Sequence, residues 1–196
     1  MTMRNDFFYK PTITKEEVSE LPLNKFSGEI LYVDTQEKFD NVIAGLKEEI
    51  FLGFDTETKP SFKKGALNEV SLLQLSTSSK AFLFRLNKIG LPDTLVEILA
   101  DESIRKVGVA IHDDIASLRK LNDFEPAGFV ELQQFVKEYG IIDNGLKKLT
   151  ANILEFNISK RQQTSNWEAD ILSKAQIEYA ATDAWVCFEI YKILMQ

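Results

Sequence analysis

Between residues 70 and 86 two apolar runs, VSLLQLST and KAFLFRL, meet at Ser78-Ser79. Runs of that length around a turn-forming pair predict a β-hairpin. Further strands are predicted at EILYVD (29–34), at FLGFDTET (51–58), at RKVGVAI (105–111) and near GFVEL (128–132). Between them lie helical patterns. QEKFDNVIAGLKEEI (36–50) places Phe39, Val42, Ile43 and Leu46 at helical spacing, LPDTLVEILA (91–100) is the next, and DDIASLRKLN (113–122) opens on helix-starting aspartates. The remainder reads as all helical and ends in SKAQIEYAATDAWVCFEIYKILM (173–195), where Ser173 and Gln176 have capping-box spacing. A hairpin inserts one antiparallel strand among strands otherwise joined through helices. The predicted fold class is therefore α/β, with a mixed, mostly parallel central sheet flanked by helices.

Residues 1–28 read as a polar N-terminal extension. Thr14 and Glu17 have capping-box spacing there, Pro22 and Gly28 act as breakers, and the Phe7-Phe8 pair predicts that the segment packs somewhere. One domain is expected over 29–196. With 196 residues, 44% of them hydrophobic and 27% charged, the composition is globular. The only cysteine, Cys187, rules out an internal disulfide, and one His beside one Cys leaves no zinc site of the usual ligand set. The same count excludes most Ser-His hydrolases, so any catalysis should rest on carboxylates. Twenty-three basic against 30 acidic residues give a net charge of −7, which argues against retention on nucleic acid by bulk positive charge. The opening MTMRNDFFYK is too polar for a signal peptide and no apolar run approaches a membrane span, so a cytoplasmic protein is expected.

Three places carry candidate chemistry. Asp55 and Glu57 are separated by one residue, so on a strand they share a face, as a metal-binding pair or as an acidic strand end. Asp114, with Asp113 beside it, follows the strand KVGVAI at the start of a helix, where an aspartate also serves as a cap. Only one of the two should face the strand ends. His112 has no visible orienting partner and reads as a loop residue. Tyr179 and Asp183 stand four apart on the last helix and share a face of it. Together these positions supply four carboxylates, a donor set suited to hard divalent cations such as Mg²⁺ or Mn²⁺.

FDTET, VGVAIHDDIASL and YAATDA, in that order, resemble the three exonuclease motifs of the DEDDy 3′-5′ exonucleases. GFVELQQF, SNW (165–167) and LSKAQIEYAATDA extend the likeness to the exonuclease domain of the Werner-syndrome helicase and to its stand-alone bacterial relatives, over about residues 29–196. The resemblance implies a ribonuclease H-like fold with the strand of the first motif central. It implies two divalent cations, Mg²⁺ or Mn²⁺. Asp55 would bridge both, Glu57 and Asp183 would bind the first, Asp114 would hold the second partly through water, and Tyr179 would position the attacking water. The implied substrate is nucleic acid with a free 3′ end, DNA favoured and RNA possible, shortened stepwise to nucleoside 5′-monophosphates.

Thr58 matches a position whose backbone lies near the terminal nucleotide in that family. Candidate phosphate contacts are Lys63, Lys64, Lys160 and Arg161, with Phe62 or Trp167 as stacking surfaces, although basic pairs also decorate solvated surfaces and Trp167 could equally pack the final helices together. One departure is Ala110, where many members carry Asn four residues before the aspartate of the second motif, so a hydrogen bond near the second ion is expected to be missing. The sequence also stops at Gln196 without the C-terminal helical domains of RNase D enzymes, so grip on substrate is expected from this domain or from a protein partner that presents the 3′ end. An RNase D-like exoribonuclease and a non-catalytic or partner-dependent nucleic-acid-binding module are the two other readings.

Overall fold

The computed structural model describes residues 9–60 and 68–196. Its elements run α1 (Lys15–Glu20), β1 (Glu29–Val33), α2 (Gln36–Leu46), β2 (Phe51–Thr58), β3 (Val70–Ser76), β4 (Lys80–Phe84), α3 (Leu86–Ile89), α4 (Asp93–Ala100), β5 (Arg105–Gly108), α5 (His112–Leu121), β6 (Phe129–Glu131), α6 (Leu132–Phe135), a 3-10 turn (Val136–Tyr139), α7 (Leu146–Leu154) and α8 (Lys174–Leu194). The six strands form one sheet in the order β1-β4-β3-β2-β5-β6. Strand β3 runs antiparallel to both of its neighbours and every other pairing is parallel. This is the mixed sheet that the hairpin predicts, with β2 inside it.

All seven residues of β3 are buried because both faces of the sheet are covered. On one face Leu52 and Phe54 of β2, Leu73 and Leu75 of β3 and Phe82 and Phe84 of β4 pack with α2, α4 and α5. Alternate residues, Leu72 of β3 and Leu83 of β4, turn to the other face and meet Tyr179, Ala180 and Ala181 of α8. Helix α8 starts at the capping box expected from Ser173 and Gln176. It crosses the sheet close enough that a Cβ on Gly53 would stand 1.9 Å from the Ala184 carbonyl oxygen. Only glycine permits that approach of helix backbone to strand backbone.

Two element ends differ from the sequence pattern. Helix α2 stops at Leu46 rather than continuing through Ile50, and Glu48-Glu49 at that end would face the negative pole of the helix dipole. Strand β5 stops at Gly108, because Ala110 takes a left-handed φ of 59° in the turn that leads into α5. The described part of the N-terminal extension is packed. Ile13 and Val18 contact Ala151 of α7, Leu23 forms a bridge with Asn157, and Phe26 joins the cluster beneath α8. The Phe7-Phe8 pair lies outside the described residues. Among the described residues no helix is long and apolar enough to cross a membrane.

Candidate active site

The period of two in β2 sends Asp55 and Glu57 towards α8 and Thr56 towards α5. Because Gly53 lets α8 settle onto the strand, Asp183 is carried down beside them, and carboxylate oxygens of Asp55, Glu57 and Asp183 come within 4.8 Å of one another. Glu57 and Asp183 are buried, Asp55 is half-buried, and Asp183 Oδ1 has no hydrogen-bond partner. No ion pair holds any of the three among the described residues. Buried carboxylates crowded in this way are driven towards their neutral forms. Burial, then the charges of Asp183 and Asp114, push Asp55 well above the usual carboxylate range. Burial, then Asp55, push Glu57 up to about 10. Burial also raises Asp183 to about 7 against the opposing effects of the Tyr179 phenol and the Lys160 ammonium.

Tyr179 stands one helical turn before Asp183, buried against the sheet. Burial, followed by the charges of Asp183 and Glu57, raises its phenol far above an ordinary tyrosine, so it stays protonated at neutral pH. Asp114 approaches from α5. The Thr56 hydroxyl donates to Asp114 Oδ1, and burial raises this carboxyl as well. Asp114 does not join the tight three-carboxylate group, although its charge contributes to the shifts of Asp55 and Glu57. The neighbouring acid faces solvent, as expected, for the Asp113 and His112 side chains are 99% and 95% exposed and touch each other at 3.1 Å. A cleft of about 340 Å³ opens over the group, lined by Asp55, Glu57, Asp183, Tyr179, Ala110 and Lys160 among others.

Of the expected substrate contacts among the described residues, Lys160 alone lines this cleft. Arg161 lines a second cavity of about 560 Å³ beside it, with Lys25 and Asn24 of the N-terminal segment, and Tyr179 forms part of the wall of both. Thr58 is exposed at the end of β2, just past an irregularity in the β2-β3 register at Glu57/Thr58. Trp167 is not a stacking surface. It is fully buried with its ring 6.0 Å from that of Tyr179, so a base has no access to its faces, and its structural alternative is the one realised. Lys63, Lys64 and Phe62 lie outside the described residues.

Two residues near the site escape the sequence reading. Gln74 of β3 sits directly opposite Asp55 in the ladder, fully buried, with neither side-chain polar atom hydrogen-bonded. Glu131 ends β6 and accepts the backbone N–H groups of Ala110 and Ile111. Its signal was available, since an acid closing a short apolar run is the same pattern that singles out Asp55 and Glu57.

A family model described as 3′-5′ exonuclease matches residues 30–196. A 3′-5′ exonuclease of Arabidopsis thaliana is 31% identical over 192 residues, 88% of this chain and 66% of that protein. The bifunctional 3′-5′ exonuclease/ATP-dependent helicase WRN of Mus musculus is 32% identical over 190 residues, 89% of this chain and 13% of that protein. The chain thus spans less than two thirds of the length of these relatives. Among solved structures, Escherichia coli RNase D superposes with a TM-score of 0.76 at 20% identity, over 87% of this chain and 44% of that one, a likeness of fold.

Proposed function

The chain belongs to the 3′-5′ exonuclease family, and from that membership we propose that it is a metal-dependent 3′-5′ exonuclease that removes nucleoside 5′-monophosphates stepwise from a free 3′ end, with DNA as its substrate. The observation that carries this reading is the group of Asp55, Glu57 and Asp183, three carboxylates within 4.8 Å and, among the described residues, without an ion pair. Such a group repels itself when ionised, and the unpartnered Asp183 Oδ1 adds a buried oxygen in want of a ligand. An all-oxygen donor set of this charge fits a hard divalent cation such as Mg²⁺ or Mn²⁺.

Asp55, Glu57 and Asp183 would hold one ion, and Asp55 with Asp114 a second. The chemistry supplied by divalent ions there is neutralisation of phosphodiester charge and acidification of water. Tyr179 contributes orientation. Held protonated, its phenol oxygen accepts a hydrogen bond from the attacking water and aims it at phosphorus, while the bond to the departing 3′ oxygen breaks on the opposite side. Lys160 at the cleft wall offers a cation to a non-bridging phosphate oxygen. The likeness to a DNA polymerase I of Aquifex aeolicus, 27% identical over 82% of this chain, supports DNA. The net charge of −7 supports a protein partner that presents the 3′ end.

The test is nucleotide release from 5′-labelled single-stranded DNA, recessed duplex DNA and RNA of one sequence, with Mn²⁺ or Mg²⁺, beside Asp55→Ala. A descending ladder on DNA that the variant lacks is expected. Faster shortening of RNA would replace the substrate assignment with the RNase D-like one, and no release from any substrate by folded, metal-loaded protein would leave a binding module.

A further inference from the structure

Glu131 is absent from the tight carboxylate group, yet its side chain does more backbone work than any other acid near the cleft. Oε1 accepts the Ala110 N–H at 3.0 Å, Oε2 accepts the Ile111 N–H at 2.9 Å, and Oε1 also accepts the Gln133 N–H at 3.0 Å, where it caps α6. The first two amides belong to the turn that leads into α5. The N-cap residue of that helix is Ile111, whose side chain has nothing with which to cap. A carboxylate from the neighbouring strand therefore supplies the acceptors that the helix lacks locally, as charge-assisted bonds.

The turn needs holding. Ala110 has φ 59°, a conformation unfavourable for an L-residue with no polar side chain. The turn has no slack either. A Cβ on Gly108 would come within 2.5 Å of Ile111 Cγ2 and 2.7 Å of the Phe54 carbonyl oxygen, so the loop lies directly on β2. Three residues after Ile111, Asp114 receives the Thr56 hydroxyl bond. Glu131 lies close enough that its own charge adds to the upward shift of Asp114. If Ala110 relaxed towards right-handed backbone, the first turn of α5 would rotate and Asp114 would leave Thr56.

We propose that Glu131 is a positioning residue, which latches the turn at Ala110-Ile111, left-handed at Ala110, and thereby fixes Asp114 where it would help hold the second ion. The inference rests on the reading given under Proposed function, and it deepens that reading by naming what sets the geometry of the second site. It also assigns a reason for an acid at the end of β6.

The experiment compares wild type, Glu131→Gln, Ala110→Gly and the double variant by calorimetric Mn²⁺ titration, with nucleotide release read in parallel as kcat and KM. Glutamine keeps one acceptor and turns an N–H towards a backbone N–H, so one of two Mn²⁺ binding events should weaken about tenfold while the other stays in place. At sub-saturating Mn²⁺, kcat should fall by a similar factor with KM for the oligonucleotide unchanged. Glycine adopts positive φ freely, so Ala110→Gly in the Glu131→Gln background should restore part of the affinity that Glu131→Gln loses. Should Glu131→Gln fail to fold, Glu131→Asp, which keeps the charge on a shorter arm, takes its place in the comparison.

A Glu131 variant that loses thermal stability while both Mn²⁺ events and kcat match wild type would overturn the proposal and leave Glu131 a merely structural cap. Absence of any rescue by Ala110→Gly would also overturn it. A wild-type protein that binds Mn²⁺ but releases no nucleotide would sink the exonuclease reading while leaving the comparison of isotherms decisive for Glu131.

Discussion

Replacing Gly53 with alanine is expected to damage the site without touching any functional group. The added Cβ would stand 1.9 Å from the Ala184 carbonyl oxygen and 2.9 Å from the Phe188 nitrogen, both helix backbone atoms. Carbon and carbonyl oxygen rest about 3.3 Å apart at closest, so roughly 1.4 Å must open between β2 and α8. Neither partner is a flexible side-chain tip. The displacement falls next to Asp183, one residue from Ala184, and is passed to Tyr179 a turn earlier. Overpacking of this kind costs about 1–3 kcal/mol, which for a chain of this size lowers Tm by about 2–4 °C per kcal/mol. The functional loss should be larger, because a misplacement of about 1 Å in catalytic geometry costs on the order of 100-fold in rate. Thermal unfolding and nucleotide release, measured well below Tm, separate the two effects. Gly45→Ala is the control, since a Cβ there meets nothing within 4 Å and a helical alanine should stabilise by about 0.5–1 kcal/mol. Wild-type Tm and kcat/KM in Gly53→Ala would refute the reasoning outright.

The raised carboxyls make the metal-free protein pH-sensitive. Asp183 titrates at about 7 and Glu57 at about 10 when folded, against about 4 when unfolded, so the folded state holds extra protons between those values. That stability is fully present below pH 4 and is lost as pH rises through 7 and then 10. Metal-free Tm should therefore fall from pH 5 to pH 8 by this contribution, and Mn²⁺ should lift Tm more at pH 8 than at pH 5; a flat metal-free profile in differential scanning fluorimetry would contradict the crowding. Tyr179→Phe should lower kcat about 100-fold or more while the Mn²⁺ isotherm stays within a few-fold of wild type, and an unchanged kcat would remove the tyrosine from water orientation. Gln74→Leu removes a buried amide with no partner and should raise metal-free Tm, by about 1–3 kcal/mol of stability; a lowered Tm would show that the amide is bonded.

What was legible in the sequence follows from local periodicity. The period of two put Asp55 and Glu57 on one face, the hairpin at Ser78-Ser79 dictated the single antiparallel strand, and the Ser173 cap with the four-residue spacing of Tyr179 and Asp183 located α8 and its working face. Properties set by distant neighbours were not legible. Trp167 looks like an aromatic beside a polar loop, and only the docking of that loop beneath α8 buries it. Lys160 and Arg161 are adjacent in sequence, yet they line different cavities. Ala110 reads as an ordinary strand residue because nothing beside it in the sequence marks its positive φ, and the carboxylate that accepts its N–H, Glu131, lies 21 positions away. Asp114 could not be told from a helix cap by spacing, since its partner Thr56 sits on β2, 58 positions earlier in the chain.

The close seating of α8 on β2 also bears on when activity can arise. Asp55 and Asp183 are 128 positions apart in the chain, yet they belong to one carboxylate group. Contacts that join such distant segments form late and slowly, because most of the loop-closure entropy must be overcome first. A nascent chain that has delivered β2 but not α8 carries Asp55 and Glu57 without the third carboxylate of their group. Completion of the carboxylate group is thereby tied to the docking of α8 on β2.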